Sequence, residues 1–151
     1  MDQWRADAAP VPEPAAHLQE LSFFLSVYLG KAPGVLWPEH EHPASVAGAA
    51  AADLDALADG LTDLTGLRAR TLPGPVPECG ALTGTATDDL LIHQTVGATA
   101  WLLTPPAAGA ARPFRCRLRP GEALHVPAGW SWSADAAPEA RFLITHLRPT
   151  G

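Results

Sequence analysis

The segment Leu118–Trp130, LRPGEALHVPAGW, carries the strongest fold signal in this sequence. Its apolar centre, Ala123–Val126, has the length and composition of a short β-strand. A Pro-Gly pair at positions 120–121 precedes that run, and Pro127 follows it. Because proline and glycine mark turns, the segment predicts one short strand with a tight turn at each end.

The same pattern continues through the rest of the chain after Gly66. Seven short β-type runs appear there, separated by prolines and glycines. They are Leu67–Leu72, Asp89–Val96, Thr99–Leu103, Phe114–Leu118, Ala123–Val126, Trp130–Ser133 and Phe142–Leu147. Many short strands with turn signals between them are typical of an antiparallel sandwich or barrel.

The first third of the chain has the apolar spacing of helices. Residues 1–16 hold little besides alanine, proline and acids, and we expect a flexible arm there. From His17 to Leu29 the apolar residues recur at i, i+3 and i+4, which predicts an amphipathic helix. A proline-rich loop, Lys31–Pro43, follows. A second, alanine-rich helix is predicted from about Ser45, as its N-cap, to Leu61.

The length of 151 residues favours a single domain. We expect one folded unit over residues 17–151, with a helical part at 17–62 and a β-barrel at 66–150. The two cysteines, Cys79 and Cys116, lack metal-type spacing and are expected to be reduced.

The charge and hydropathy of the chain exclude some partners. The formal net charge is −6, and no run of Lys or Arg is present to neutralise phosphates, so nucleic acid is not an expected partner. No stretch reaches the ~20 apolar residues of a membrane span, and the first residues lack the features of a signal peptide. We therefore expect a cytoplasmic protein that does not associate with membranes.

Two stretches of the β region carry a family pattern. Residues Asp89–Trp101, DLLIHQTVGATAW, are similar to the D-N-x-L-x-Q-x-x-G-x-K-x-W strand pair of JmjC-type cupins. Residues Leu118–Trp130 resemble the same family's L-x-P-G-D-x-L-Y-V-P-x-G-W. The closing Phe142–Pro149 and the helix-then-strand entry at 53–70 extend the resemblance to roughly residues 50–150. These cupins are Fe(II)/2-oxoglutarate hydroxylases of proteins and peptides.

The resemblance implies a mainly β fold with N-terminal helices, a JmjC-like cupin or double-stranded β-helix (jelly-roll) barrel. Family members hold iron with an H-x-D/E pair and a distal histidine, which form a facial triad with open positions. In this sequence the pair falls at Gly84 and Ala86, and the distal position falls at Trp132. The basic residue that would grip 2-oxoglutarate falls at Thr99. We therefore expect no iron, no cofactor and no oxygenase chemistry.

Histidines could still form a different metal or catalytic site. His40 and His42 have the H-x-H spacing of a chelating pair, but they lie in a proline-flanked loop, where a solvated role is the more common one. Strand alternation places His93 on the face opposite to Gln94, and so outside the barrel. His125 and His146 lie on predicted strands, and either could act as an acid or base or bind a metal.

The first functional hypothesis is a non-catalytic protein that binds a peptide or protein partner. It would hold a precursor peptide for other enzymes in bacterial ribosomal-peptide natural-product biosynthesis. Aromatic residues dominate recognition surfaces, and Trp132 with Trp130 and Trp101 could form one at the barrel mouth. The expected binding residues are Gln94, Thr99, Trp101, His125, Trp130, Trp132 and His146.

Two alternatives remain open from the sequence. One is a cupin-type enzyme, such as a cyclase, an isomerase or an unusual-metal enzyme, that uses His125 or His146. The other is a structural subunit that forms a homodimer through its N-terminal helices, as the resemblance also implies.

Overall fold

The structure, a computed structural model, describes residues 12–76, 81–107 and 111–150. Two helices and nine strands account for most of these residues, and we number them in chain order. The helices are α1 (Glu13–Tyr28) and α2 (Ala51–Thr65). The strands are β1 (Gly34–Leu36), β2 (Arg68–Pro73), β3 (Ala81–Thr85), β4 (Asp89–Val96), β5 (Thr99–Thr104), β6 (Phe114–Leu118), β7 (Ala123–Val126), β8 (Ser131–Ala136) and β9 (Arg141–Arg148).

The strands form two antiparallel sheets. The five-stranded sheet has the order β1-β7-β4-β9-β2, and the four-stranded sheet has the order β3-β8-β5-β6. Successive strands from β4 onward alternate between the sheets or pair by a hairpin, as in a double-stranded β-helix. The expected antiparallel β architecture is confirmed.

Two hydrophobic cores lie on opposite faces of the five-stranded sheet. Between the sheets, Ile92 and Leu124 pack against Trp101 and Leu103 of the four-stranded sheet. On the other face, Leu91 and its neighbours pack against α1 and α2. Alternation along β4 therefore sends even-numbered side chains into the barrel and odd-numbered ones towards the helices.

The turns around Leu118–Trp130 form as the sequence predicts. Gly121 and Gly129 both adopt positive φ angles, +90° and +89°, which favour glycine. The amide of Gly121 donates to the carbonyl of Gln94 and the amide of Gly129 to that of Ala86, so these turns tie β7 to strands of both sheets.

The helices differ from the expected ones at their starts. The first helix begins at Glu13, so the predicted arm 1–16 is wrong for its last four residues. Pro14 lies in the first turn, where its missing N–H costs nothing. The second helix begins at Ala51 rather than Ser45, because the Ser45 hydroxyl bonds to His42 in a separate short 3-10 turn.

Two strands were absent from the sequence prediction. The short strand β1 lies inside the predicted loop Lys31–Pro43 and pairs with β7. The strand β3 pairs with β8, and its composition, ALTGT, carries only a weak strand signal because of its central glycine. Over the described ranges, neither helix has both the length and the apolar character needed to cross a membrane.

Candidate functional site

The positions that the resemblance assigns to iron ligands lie together in the four-stranded sheet. Gly84 of β3 and Trp132 of β8 are direct cross-strand partners. A Cβ atom placed on Gly84 would lie 2.6 Å from Cζ2 of Trp132, so the indole occupies the space of any side chain there. Ala86 is buried just beyond β3. Because none of these side chains offers a ligand atom and the indole fills the gap, the residues present do not fit an iron ion.

The expected 2-oxoglutarate position is equally unsuited to its ligand. Thr99 is fully buried at the start of β5 and carries no charge. Its hydroxyl, Oε1 of Gln94 and Nε1 of Trp101 are buried polar atoms without hydrogen-bond partners among the described residues. Gln94 does point into the barrel, and its amide nitrogen donates to the carbonyl of Val96 at 3.0 Å. These polar atoms belong to the barrel interior and do not form an exposed binding surface.

The three tryptophans do not form the expected aromatic surface. Trp101 and Trp130 are core residues with exposed fractions of 2% and 6%. Trp101 packs against both Phe142, with ring centroids 5.2 Å apart, and Trp132, at 5.5 Å. Trp132 is half-buried, so it is the one member of the trio that a partner could contact. On the outer face of the same sheet lies a groove of about 380 Å³, which we call the Trp132 groove and whose walls include Thr85, Thr104 and Ser131.

His125 has a structural role that the sequence did not suggest. It is fully buried on the face of β7 that points away from the barrel. Its Nδ1 lies 2.8 Å from the carbonyl oxygen of Ala32, and its Nε2 lies 2.8 Å from Oδ2 of Asp89. Each ring nitrogen therefore has an oxygen acceptor within hydrogen-bond distance. The prediction of His125 as a ligand-binding or acid/base residue is therefore wrong, because no ligand can reach it.

Asp89 is the centre of this buried network. Besides His125, it accepts hydrogen bonds from the amides of Gly30 at 2.7 Å and Ala128 at 3.1 Å. Burial alone would raise the pKa of the Asp89 carboxyl, but the hydrogen bond from His125 and those from the two amides hold that pKa below its ordinary value. Asp89 thus joins the end of α1, the strand β7 and the turn after it.

Three other histidines form a buried cluster between α1 and the five-stranded sheet. Nε2 of His17 lies 3.3 Å from Nε2 of His93, and the His17 ring is 5.8 Å from that of His42. Nδ1 of His17 donates to the carbonyl of His40 at 2.7 Å. Burial lowers the pKa of all three rings, and that of His93 to about 3, so all three are neutral near pH 7. His93 faces away from the barrel, as alternation indicates, but α1 covers it.

His40 is the more exposed member of the H-x-H pair. Its ligand atom lies within 4.8 Å of those of Glu20 and Glu39, a grouping that could hold a metal ion. However, the Glu20 carboxylate already accepts the amides of Glu39 at 2.8 Å and His40 at 3.1 Å. The two histidines of the H-x-H pair therefore have different surroundings. His42 belongs to the buried cluster, whereas His40 contacts Glu20 and so helps to hold the loop after β1 against α1.

The cysteines match the sequence expectation as far as the structure describes them. Cys116 on β6 is a free, half-buried thiol, and burial followed by the charge of Glu122 raises its pKa to about 11. Cys79 lies outside the described residues.

His146 belongs to a group of basic side chains that the sequence reading did not assemble. It lies on β9, opposite Arg70 of β2, and Arg148 lies opposite Arg68. We call these four residues, Arg68, Arg70, His146 and Arg148, the basic cluster. They line a cavity of about 390 Å³ whose wall also includes Thr87 and Asp88. The segment Gly84–Asp88 thus borders both the Trp132 groove and this cavity.

Comparison with solved structures reveals a similar fold in an oxygenase. A structure of YcfD, a ribosomal oxygenase from Escherichia coli, matches 85% of this chain with a TM-score of 0.58 at 16% sequence identity. A second YcfD structure, in complex with cobalt and succinic acid, matches 87% with a TM-score of 0.61, also at 16% identity. The chain spans about half of YcfD, 51% and 52% of the two chains. No protein-family model and no curated protein matches the chain.

The likeness to YcfD concerns the fold alone at this level of identity. It agrees with the two antiparallel sheets and the N-terminal helices described above. The chain is a mainly β protein with the cupin fold, and this part of the sequence expectation is confirmed.

Proposed function

We propose that the protein is a non-catalytic peptide-binding protein derived from a 2-oxoglutarate-dependent hydroxylase. It would hold a precursor peptide for partner enzymes in bacterial ribosomal-peptide natural-product biosynthesis. The observation that carries the proposal is the direct pairing of Gly84 with Trp132, in which an indole occupies the space of an iron ligand. A surface that binds a peptide substrate can be retained when catalysis is lost, because binding and catalysis depend on different residues.

The groove beside Trp132 supports the choice of a peptide. Its walls include the hydroxyl groups of Thr85, Thr104 and Ser131, which can donate to or accept from the main chain of an extended peptide. The indole of Trp132 lies on the other face of β8, where it packs against Trp101 and is half-buried, so it offers a separate apolar contact. Tryptophan is enriched among residues that dominate binding energy. Polar walls suit the main chain of a peptide better than an apolar small molecule.

A calorimetric titration with the peptide product of a neighbouring gene tests this proposal. Trp132→Ala is expected to weaken binding by more than about 1 kcal/mol if the indole is an anchor. Trp37→Ala is the matched control, because Trp37 is 77% exposed and lies in the loop after β1. If Trp37→Ala weakens binding and Trp132→Ala does not, the binding site lies elsewhere and the proposal fails at this groove.

The alternatives receive less support from the geometry. An enzyme that uses His125 is not favoured, because Asp89 and Ala32 engage both ring nitrogens in a buried site. His146 retains access, but its cross-strand partners are Arg70 and Leu90, and no acid or base among the described residues pairs with it. A homodimer through the N-terminal helices remains a prediction, with which the exposed Phe23 and Val27 on α1 are compatible. The cytoplasmic location also remains a prediction.

A further inference from the structure

The basic cluster consists of two cross-strand pairs on one face of the five-stranded sheet. Arg68 lies opposite Arg148, and Arg70 lies opposite His146. Residues directly opposite in an antiparallel pair point to the same side, with Cβ atoms roughly 5 Å apart. The alternation along β9 puts them on the same side as Phe142, which packs inside the barrel.

This arrangement works against the stability of the sheet. Like charges directly opposite one another on neighbouring strands are destabilising. Within the described residues, one ion pair offsets the charge: Asp88 accepts from Arg148 at 3.3 Å, and the Arg148 side chain is 63% exposed. This cavity holds three of the ten Lys and Arg residues of a chain whose net charge is −6. Local rules of stability are broken mainly where function requires it.

The spacing of the cluster fits an extended chain. Arg68 and Arg70 are alternate residues of one strand, so their side chains repeat at roughly 7 Å. Alternate side chains of an extended peptide have the same repeat. Guanidinium groups bind carboxylates through two parallel hydrogen bonds, which makes arginine suited to acidic side chains.

Strand addition at β2 is the less suitable mode of binding. β2 is the edge strand of its sheet, but the amide of Ala69 already donates to Oγ1 of Thr62 at 3.1 Å. Pro73, at the end of the strand, has no N–H to offer. Recognition at this edge therefore depends on side chains rather than on main-chain pairing.

We propose that the basic cluster binds an acidic peptide segment whose Asp or Glu residues alternate along an extended chain. This inference rests on the proposed function and specifies the kind of peptide that the protein holds. Arg68 and Arg70 bind successive carboxylates, and His146 and Arg148 flank them from β9. The half-buried indole of Trp132, which faces the barrel side as the basic cluster does, takes an apolar side chain of the same peptide.

Synthetic peptides of matched length test the inference. One carries Glu at alternate positions in a Gly-Ser background, and two others carry Gln or Lys at the same positions. The Glu peptide is expected to bind at least about ten-fold more tightly than the Gln peptide by fluorescence anisotropy, and the Lys peptide is expected not to bind. Raising the salt concentration should weaken the binding of the Glu peptide and leave that of the Gln peptide unchanged.

Charge reversal locates the site. Arg70→Glu is expected to weaken the binding of the Glu peptide by about ten-fold or more. Arg117→Glu is the matched control, because Arg117 is an exposed arginine on β6 in the other sheet. Arg70→Gln serves as a second variant, and thermal unfolding checks that each variant folds.

The acidic specificity and the proposed function can fail independently in these experiments. Equal binding of the Glu and Gln peptides, or equal effects of Arg70→Glu and Arg117→Glu, would overturn the acidic specificity. The proposed function would still stand if the peptide of the neighbouring gene binds at Trp132. If inorganic phosphate binds as tightly as the Glu peptide and displaces it fully, the cluster is a simple anion site and the peptide inference is wrong.

Discussion

Acid is expected to destabilise this protein through its buried histidines. The pKa of His93 falls from 6.5 to about 3 on folding, chiefly because burial disfavours the imidazolium, and His17 and His42 shift in the same direction. In the unfolded state all three rings titrate near pH 6.5. The folded pKa values lie below the unfolded ones. The contribution of these rings to the free energy of unfolding is therefore fully present above about pH 6.5, and it is lost as the pH falls towards the folded pKa values.

The magnitude for His93 follows from the difference between the two states. Between pH 7 and pH 5 the unfolded chain takes up about three-quarters of a proton at this ring, and the folded chain takes up almost none. That difference lowers the free energy of unfolding by about 2 kcal/mol, and His17 adds to the loss. Since domains of this size are stable by only about 5–15 kcal/mol, the loss is a large fraction of the total.

Urea unfolding followed by tryptophan fluorescence at pH 7, 6 and 5 measures this effect. His93→Gln is expected to remove about 2 kcal/mol of the pH-dependent loss, whatever it does to the stability at pH 7. His146→Gln, which removes a histidine outside the cluster, is the control. If His93→Gln unfolds at pH 7, His17→Gln provides the same comparison. An identical pH dependence in the wild type and both cluster variants would refute the argument.

Two further substitutions test the structural reading. Asp89→Ala leaves the buried His125 without its carboxylate and is expected to lower the free energy of unfolding by about 3 kcal/mol. Asp88→Ala, which breaks a surface ion pair, is expected to lower it by less than about 1 kcal/mol. Similar losses in the two variants would contradict the assigned role of Asp89. Gly84→Ala is expected to cost about 1–3 kcal/mol, because its Cβ meets the Trp132 indole, and Trp132→Ala should relieve that cost in the double variant. Additive effects of the two changes would mean that the indole does not fill this space.

The strands bounded by turns were the easiest elements to predict. β4, β6 and β7 begin and end at the predicted residues, because proline or glycine lies close to both ends of β6 and β7 and at the end of β4, and Asp88 precedes β4. The strands β1 and β3 were missed because their short, glycine-containing sequences become strands only through their partners. Tertiary pairing overrides weak local propensity in such cases.

The candidate site was less predictable, because it depends on long-range pairing. The sequence places Arg68 and Arg70 on one face of a strand, but only the register of β2 with β9 brings Arg148 and His146 opposite them. His17 and His93 meet across 76 positions of the chain. Strand alternation correctly predicted that His93 points away from the barrel, but it could not predict that α1 would bury this side chain.

The central claim is that the barrel binds a peptide without iron chemistry. The most direct measurement is a calorimetric titration of the wild type with the peptide of the neighbouring gene, in chelator and then in Fe(II) with 2-oxoglutarate. Our account predicts the same affinity under both conditions and no change in the mass of the recovered peptide. Binding that requires Fe(II), or a peptide that gains the mass of an oxygen atom, would contradict it.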